Sequence, residues 1–152
     1  MAPAWQFQFS LQCTVPRDFA WSFWTDVKNW ALDADVETVT IDGPFVAGTR
    51  GHTVSRSSGP INWSIAEADP ARRAVLEFPA PGAVAVFVWK FEDSPIGTAI
   101  TQEASLSGPE AQKYANTFGR MLEDGIPAGM QKLCDAMEAA AKAGSESSVA
   151  GK

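Results

Sequence analysis

The stretch that decides the fold is residues 110–142, EAQKYANTFGRMLEDGIPAGMQKLCDAMEAAAK. Its apolar residues recur at helical spacing, at Ala111, Ala115, Phe118, Leu122, Ile126, Leu133, Met137 and Ala140. This periodicity predicts one long amphipathic helix, which would span roughly 50 Å at ~1.5 Å per residue. Because a helix of that length needs a broad apolar partner, we expect it to lie across a sheet formed by the strands upstream.

Glycine and proline mark the ends of this helix and one weak point within it. Gly108 and Pro109 set its start, because proline is tolerated in a first helical turn, and Gly144 sets its end. Pro127 removes a backbone hydrogen bond in the interior, so we expect a kink there. Two helices broken at Gly125 are the alternative. We predict one domain over residues 1–143 and a disordered tail over residues 144–152.

The composition is typical of a soluble globular domain. The chain has 152 residues, of which 45% are hydrophobic and 20% are charged. The formal net charge of -6 argues against nucleic acid and anionic membranes as partners, because both attract clustered lysine and arginine. No stretch has the length of an apolar span, and the first residues lack the features of a signal peptide. We therefore predict a cytoplasmic location and no membrane insertion.

The cysteines and the single histidine indicate neither a metal site nor a cofactor. Cys13 and Cys134 are far apart in the sequence and each falls on an apolar stripe, so we interpret both as free buried thiols rather than a disulfide. One histidine without a close cysteine pair forms no recognisable metal site. The chain also lacks a P-loop, a dinucleotide-binding fingerprint and a nucleophile elbow. We predict no metal and no cofactor.

Upstream of the long helix, the spacing of hydrophobic residues changes from every second residue, typical of a strand, to helical spacing and back. Apolar residues alternate strictly with polar ones at Trp5, Phe7, Phe9, Leu11, Cys13 and Val15, which predicts a half-buried strand. A short helix follows Pro16, with Phe19, Ala20, Phe23, Trp24 and Val27 on one face. Trp21 falls off that face. A second short helical piece is predicted at residues 29–34, anchored by Trp30.

Turn signals divide the middle of the chain into six further strands. We place these strands at residues 36–41, 49–57, 61–68, 73–78, 83–92 and 98–106. The predicted order is therefore one strand, two short helices, six strands and one long helix. No internal repeat or interdomain linker interrupts this order.

This order resembles that of the START-like helix-grip superfamily, also called SRPBCC, and it looks most like the polyketide cyclase/dehydratase branch. The resemblance covers about residues 6–141. It is carried by Trp-Lys-Phe-Glu at residues 89–92, by Gly-Thr-Ala-Ile-Thr-Gln at residues 97–102 and by the final helix with Pro127. It implies an α+β fold in which a curved seven-stranded antiparallel sheet wraps around the long helix and leaves an apolar cavity. The superfamily has no shared catalytic signature, so the resemblance does not fix the chemistry.

Large apolar side chains at period two support such a cavity independently. Two predicted strands carry Ile61, Trp63 and Ile65 and Phe87, Trp89 and Phe91, and we expect these side chains to face the long helix. A solid core without a cavity is the alternative, because periodicity does not distinguish the two. The predicted ligand contacts are Trp63, Ile65, Phe87 and Trp89 on the sheet, and Phe118, Met121, Leu122, Ile126 and Met130 on the helix.

Three polar residues are candidates for proton transfer. If Val54 points inward, Arg50 and His52 on the same strand do so too, and an inward histidine could exchange protons near neutral pH. A solvent-facing His52 is the alternative. Glu67 shares the phase of Trp63, so it could lie at the rim of the cavity or on a solvated strand end. Gln102 shares the phase of Ile100 and could also lie at the rim.

Three classes of function fit these features. The first is the binding or transport of a small hydrophobic molecule that is lipid-like, aromatic or polyketide-like. The second is a cofactor-free cyclase or dehydratase that uses His52 with Arg50 or Glu67. The third is a protein-interaction module, for which Trp21 is the hint. The sequence does not indicate the ligand or the oligomeric state.

Overall fold

The computed structural model describes residues 3–32, 36–56 and 59–150. The first part contains strand β1 (Trp5–Cys13), helix α1 (Arg17–Thr25) and a 3-10 helix (Val27–Leu32). The middle of the described chain contains β2 (Val36–Ile41), β3 (Arg50–Ser55), β4 (Gly59–Asp69), β5 (Arg73–Ala80), β6 (Ala83–Ser94) and β7 (Gly97–Ser107). The last part contains α2 (Ala111–Tyr114), a π-helical turn (Ala115–Gly119) and α3 (Arg120–Ala150).

The strands form one antiparallel sheet in the order β1-β7-β6-β5-β4-β3-β2. Strands β2 to β7 each pair with their neighbour in sequence, and β1 pairs with β7. The predicted α+β helix-grip class is confirmed: a seven-stranded antiparallel sheet, short helices after the first strand and a long C-terminal helix. The predicted ends of the third strand at residue 57 and of the second helical piece at residue 34 lie outside the described residues.

One face of the sheet, here called the inner face, packs against the helices. On β7 this face is formed by Thr98, Ile100, Gln102, Ala104 and Leu106, which are all buried. Directly opposite residues of antiparallel strands lie on the same face of the sheet. The strand register therefore gives two neighbouring rows on the inner face, Phe7–Ala104–Phe87 and Phe9–Gln102–Trp89.

The long helix is continuous where we expected its weak point. Helix α3 passes through Gly125 and Pro127, so the alternative of two helices broken at Gly125 is wrong. It also passes Gly144 and ends at Ala150, so the predicted end at Gly144 is wrong as well. An interior glycine costs a helix only ~1 kcal/mol, which neighbouring residues can offset. The division into a domain and a disordered tail stays a prediction. Within the described residues, no helix is long and apolar enough to cross a membrane.

The kink expected at Pro127 stays a prediction, and the described structure has a further irregularity in the π-helical turn. A π turn contains more residues than an α turn, so it changes which side chains face the sheet. The buried positions are Ala111, Ala115, Gly119, Ile126, Met130, Leu133, Cys134 and Met137. Gly119 thus takes the inward position that helical spacing assigned to Phe118. A Cβ atom on Gly119 would lie 3.0 Å from Trp5 Nε1, so the close approach of β1 favours glycine there.

Four aromatic rings in a near-parallel column fill the inner face over β4 and β5. Trp30 stacks on Trp24 with ring centroids 5.6 Å apart, and on Trp63 at 5.0 Å. Phe78 stacks on the other face of Trp63 at 5.6 Å. Offset stacking of this kind adds to the stabilisation from apolar burial. The part of the interior that contains Trp63 is therefore a solid core.

A disulfide joins Cys13 at the end of β1 to Cys134 on α3, with Cα atoms 5.7 Å apart. The prediction of two free thiols is wrong, although both residues are buried as their positions on apolar stripes indicated. A separation of 121 residues in sequence gave no sign that the two side chains meet. The bond ties the long helix to an edge strand of the sheet.

Candidate functional site

Five of the nine predicted ligand contacts are buried in the core among other protein side chains. Trp63 lies between Trp30 and Phe78, and the ring of Trp89 lies 4.8 Å from that of Trp24. The other three are Ile65, Ile126 and Met130. In this structure these five side chains stabilise the core, and their contact with a ligand stays a prediction.

Two predicted contacts on the long helix point away from the sheet. Phe118 is 37% exposed and Met121 is 49% exposed. Regular helical spacing from Ala115 places Phe118 on the buried stripe, but the π turn puts Gly119 there instead. The predicted inward orientation of Phe118 and Met121 is therefore wrong.

The remaining two predicted contacts, Phe87 and Leu122, are only partly buried. Two further partly buried side chains, Phe7 and Phe9, lie in the same inner-face rows. The predictions missed them because their proximity to Phe87 depends on the pairing of β1 with β7. We call the group formed by Phe7, Phe9, Phe87, Gln102, Ala104 and Leu122 the inner-face site.

Small and large side chains alternate across this site. Ala104 lies between Phe7 and Phe87 in the register. Neighbouring strands are ~4.8 Å apart, so the backbones of Phe7 and Phe87, which lie two strands apart, are about 10 Å from each other. Alanine fills little of that span. Between these two aromatic rings, the inner face therefore carries only the methyl group of Ala104.

Gln102 is the polar member of the inner-face site. It is 9% exposed, and no hydrogen bond joins its side chain to any described residue. Thr98, the other buried polar residue of β7, donates from Oγ1 to the Val15 carbonyl at 2.7 Å. The Gln102 amide has no such partner, but its oxygen and nitrogen are not among the fully buried unpaired atoms of the described residues, which are Arg17 Nε and Ser94 Oγ, so they remain accessible to water.

Two depressions open at the surface away from this site. One of about 470 Å³ is lined by Trp5, residues of the π turn and its surroundings, and Glu123. The indole Nε1 of Trp5 donates to Glu123 Oε2 at 2.9 Å, and its ring stacks on Phe7 at 6.3 Å. Trp5 thus stands between this depression and the inner-face site. The other, of about 400 Å³, lies among charged residues that include Arg17 and Lys90.

His52 lies on the outer face of the sheet, which is the solvent-facing alternative and not the inward orientation that a role in proton transfer needs. It is opposite Asn62 in the register, whereas Gly51 is opposite the buried Trp63. Its Nδ1 is 2.9 Å from Asn62 Oδ1, and its Nε2 is 3.0 Å from both carboxylate oxygens of Asp42. The hydrogen bond to Asn62, followed by that to Asp42, raises the pKa of His52 above its ordinary value of 6.5. With both ring nitrogens engaged, His52 has no free nitrogen to accept a substrate proton.

Arg50 and Glu67 also point away from the inner-face site. Arg50 is exposed and two residues from His52 on β3, so it shares the outer face. Glu67 has the phase of Trp63, but a β-bulge between Ile65 and Glu67 shifts the register by one residue. Glu67 is consequently exposed and accepts a hydrogen bond from Arg73 Nε at 2.6 Å. Of the two alternatives for Glu67, the solvated strand end is therefore the one observed, and the condition that would have placed Arg50 inward is not met.

Trp21 lies in the aromatic core rather than on an exposed surface. Its ring centroid is 5.4 Å from that of Phe91 and 6.0 Å from that of Phe45, both in edge contact. The side chain is half-buried. The hint of a protein-interaction module is therefore explained by packing.

No group of three or more metal-ligating side chains comes together among residues 3–32, 36–56 and 59–150.

The comparisons show similarity of fold without close relatives. No protein-family model matches the sequence, and no curated protein matches it significantly. Solved structures do match along most of the chain. Protein NE0264 from Nitrosomonas europaea is 18% identical with a TM-score of 0.70, over 91% of this chain and 96% of that protein.

Two further structures have names that bear on the fold. Ara h 8.0201 is 12% identical with a TM-score of 0.71, over 88% of this chain and 97% of that one. DynU16, a protein in the dynemicin biosynthetic locus, is 15% identical with a TM-score of 0.66, over 88% of this chain and 47% of DynU16. At these identities the similarity supports the helix-grip fold alone.

Proposed function

We propose that this protein binds a small hydrophobic molecule at the inner-face site. The observation that carries the proposal is the partial exposure of the apolar side chains Phe7, Phe9, Phe87 and Leu122, grouped around the buried Gln102 and Ala104 of the inner face. An apolar ligand that covers this surface would gain ~25 cal/mol for each Å² removed from water. Ligand sites are commonly apolar with a few polar groups, and this site has one, Gln102.

The fold supports this class of function. A lipid-like, aromatic or polyketide-like molecule is what the resemblance to the polyketide cyclase/dehydratase branch implies. The aromatic column already fills the interior over β4 and β5, so we place the ligand over β1, β7 and β6. We further propose that the ligand enters beside Trp5, because the depression of about 470 Å³ ends at this residue.

A cofactor-free cyclase or dehydratase is the second candidate. The observation in its favour is the similarity to DynU16, whose gene locus is biosynthetic. The position of the predicted acid–base residues opposes it, because His52, Arg50 and Glu67 all lie on the outer face. An enzyme of this kind would have to act by positioning its substrate at the inner-face site. Binding is therefore the better supported function.

The cytoplasmic location stays a prediction. The Cys13–Cys134 disulfide opposes it, because cytosolic thiols are generally kept reduced. Counting the free thiols in protein isolated under rapid alkylation would distinguish a cytoplasmic location from an oxidising compartment. Two free thiols in the cellular protein favour the cytoplasm.

A neutral fluorescent probe, N-phenyl-1-naphthylamine, tests the binding site. We expect saturable enhancement of its fluorescence with the parent protein and a rise in Tm by mass action. Ala104→Leu should reduce its affinity at least tenfold, because the added side chain fills the space between Phe7 and Phe87. Ser105→Leu is the matched control, since residue 105 is next in sequence and lies on the outer face.

Phe87→Ala tests the same site without overpacking it. Removing this ring takes away apolar surface that the probe is proposed to cover, so the probe should bind more weakly than to the parent. Circular dichroism and thermal unfolding establish that each variant is folded. Absence of saturable binding to the parent would contradict the proposal, as would equal effects of Ala104→Leu and Ser105→Leu.

A further inference from the structure

The amide of Gln102 is the one polar side chain at the inner-face site, and nothing in the described chain satisfies it. It lies between Phe9 and Trp89 in the register and two residues from Ala104 along β7. Residues two apart on a strand lie on the same face about 7 Å apart, which a glutamine side chain can span. In the ligand-free protein the amide atoms are not fully buried, so water can reach them. A bound molecule that displaces this water has to offer a hydrogen-bonding group in its place, because an amide buried without a partner costs free energy.

The surroundings of Gln102 indicate the charge of that molecule. The inner-face residues of β1, β5 and β7, and those of β6 between Ala83 and Phe91, include no charged side chain in the described structure. A ligand carboxylate placed against the sheet here would be buried without a cation from these strands, which is strongly unfavourable. A hydroxyl or carbonyl group would need only a neutral partner. Because a glutamine amide both donates and accepts hydrogen bonds, it suits either group.

We propose that the ligand is a neutral ring compound with a hydroxyl or carbonyl oxygen, and that this oxygen hydrogen-bonds to the Gln102 side-chain amide. This inference rests on the proposed binding function and names the chemical class of the ligand. The rings of Phe7, Phe9 and Phe87 contact the apolar body of the ligand. Gln102 then selects oxygenated rings over plain hydrocarbons and over carboxylic acids of the same size.

Three naphthalene derivatives test this selection, because they share one ring system. Naphthalene, 2-naphthol and 2-naphthoate are each titrated as competitors of N-phenyl-1-naphthylamine at pH 7, with the parent and with Gln102→Leu. For the parent we expect 2-naphthol to bind tightest and 2-naphthoate weakest. Gln102→Leu should weaken 2-naphthol about three- to tenfold, which corresponds to one hydrogen bond. Naphthalene should bind Gln102→Leu as tightly as the parent, or more tightly.

A second measurement does not depend on any ligand. Gln102→Leu keeps a similar volume and removes an amide that has no protein partner, so the Tm of the ligand-free variant should equal or exceed that of the parent. A fall in Tm with 2-naphthol affinity unchanged would overturn the role of Gln102. Gln12→Leu, on the outer face of β1, is the control for adding a leucine to the sheet and should leave 2-naphthol affinity unchanged.

The outcomes separate this inference from the proposed function. If neither naphthalene nor 2-naphthol competes with the probe, the binding site itself is wrong. If both compete and Gln102→Leu changes neither affinity, the site stands and the role of Gln102 is overturned. If 2-naphthoate binds the parent as tightly as 2-naphthol, the restriction to neutral ligands is overturned.

Discussion

Gly51 on β3 lies directly beneath the indole ring of Trp63 on β4. The two residues are opposite each other in the sheet, and a Cβ atom on residue 51 would lie 2.2 Å from Trp63 Cε2 and Cζ2. The absence of a side chain lets the indole lie flat across β3, where its Nε1 donates to Thr53 Oγ1 at 2.9 Å. This contact also decides the orientation of β3. With residue 51 on the inner face, His52 must lie on the outer face.

The first prediction concerns this contact. Gly51→Ala should destabilise the protein by ~1–3 kcal/mol, because the methyl group overpacks the core and displaces Trp63 from its stack. Urea unfolding gives the free energy, and near-ultraviolet circular dichroism reports the displaced ring. Gly125→Ala is the control, since a Cβ there meets no atom within 4 Å, and it should stabilise the helix by ~1 kcal/mol. Equal stability of Gly51→Ala and the parent would contradict the packing described.

The second prediction tests the π turn through the side chains on either side of it. Phe118→Gln should change the free energy of unfolding by ~0.5 kcal/mol or less, because this side chain is substantially exposed. Ile126→Ala should cost ~2–5 kcal/mol, because Ile126 is buried. Both values come from denaturant unfolding. A regular helix with Phe118 inward would give a large loss for Phe118→Gln instead.

The third prediction uses His52, which is the single histidine of the chain. Its imidazole proton resonances should titrate with a pKa above 6.5, and Asp42→Asn should bring that pKa down. Because the folded-state pKa is the higher one, the two hydrogen bonds contribute stability that is fully present below pH ~6.5. That contribution is lost as the pH rises through the folded-state pKa. His52→Gln should accordingly differ from the parent more at pH 5.5 than at pH 9 in its unfolding free energy.

The fourth prediction concerns the disulfide. Reduction should destabilise the parent by ~2–4 kcal/mol, because the Cys13–Cys134 bond closes a long loop in the unfolded chain. Cys134→Ala should show this loss already under oxidising conditions, and dithiothreitol should then have no further effect on it. Unfolding curves with and without reductant measure the effect of reduction on the parent and on Cys134→Ala. A parent protein whose stability does not respond to reductant would contradict a disulfide in solution.

The fifth prediction concerns acid. The backbone N–H of Thr14 donates to Glu138 Oε2 at 2.9 Å and its Oγ1 at 2.8 Å, and these bonds lower the pKa of Glu138. Because the pKa of Glu138 is lowered, these hydrogen bonds contribute stability that is present above pH 4.5, the ordinary pKa of the group. This contribution is lost as the pH falls through the folded-state pKa. Glu138→Gln should be less stable than the parent at pH 7, and the difference should disappear in strong acid. A constant difference across this range would mean that the carboxylate charge has no part in it.

The sequence by itself determined the elements and their order. Strict alternation from Trp5 to Cys13 and helical spacing around residues 122–137 are properties of the chain over short distances, and glycine and proline separate the strands at the turns. A long helix lying across a sheet followed from these elements, because its apolar stripe has to be buried. The helix-grip class itself was implied by the resemblance to the START-like superfamily.

Only the tertiary structure decided which side chains meet at the site. The spacing of hydrophobic residues at a period of 2 or 3.6 does not reveal where a single residue is inserted. The bulge before Glu67 and the π turn before Arg120 are such insertions, and they reversed the orientations that the spacing predicted for Glu67 and Phe118. Sequence alone also does not show which distant segments come together, such as Cys13 with Cys134, or Phe7 and Phe87 on either side of Ala104. The first pair depends on the packing of α3 against β1, and the second on the pairing of β1 with β7. The free energy of the whole packed domain selects both arrangements, and no local preference does.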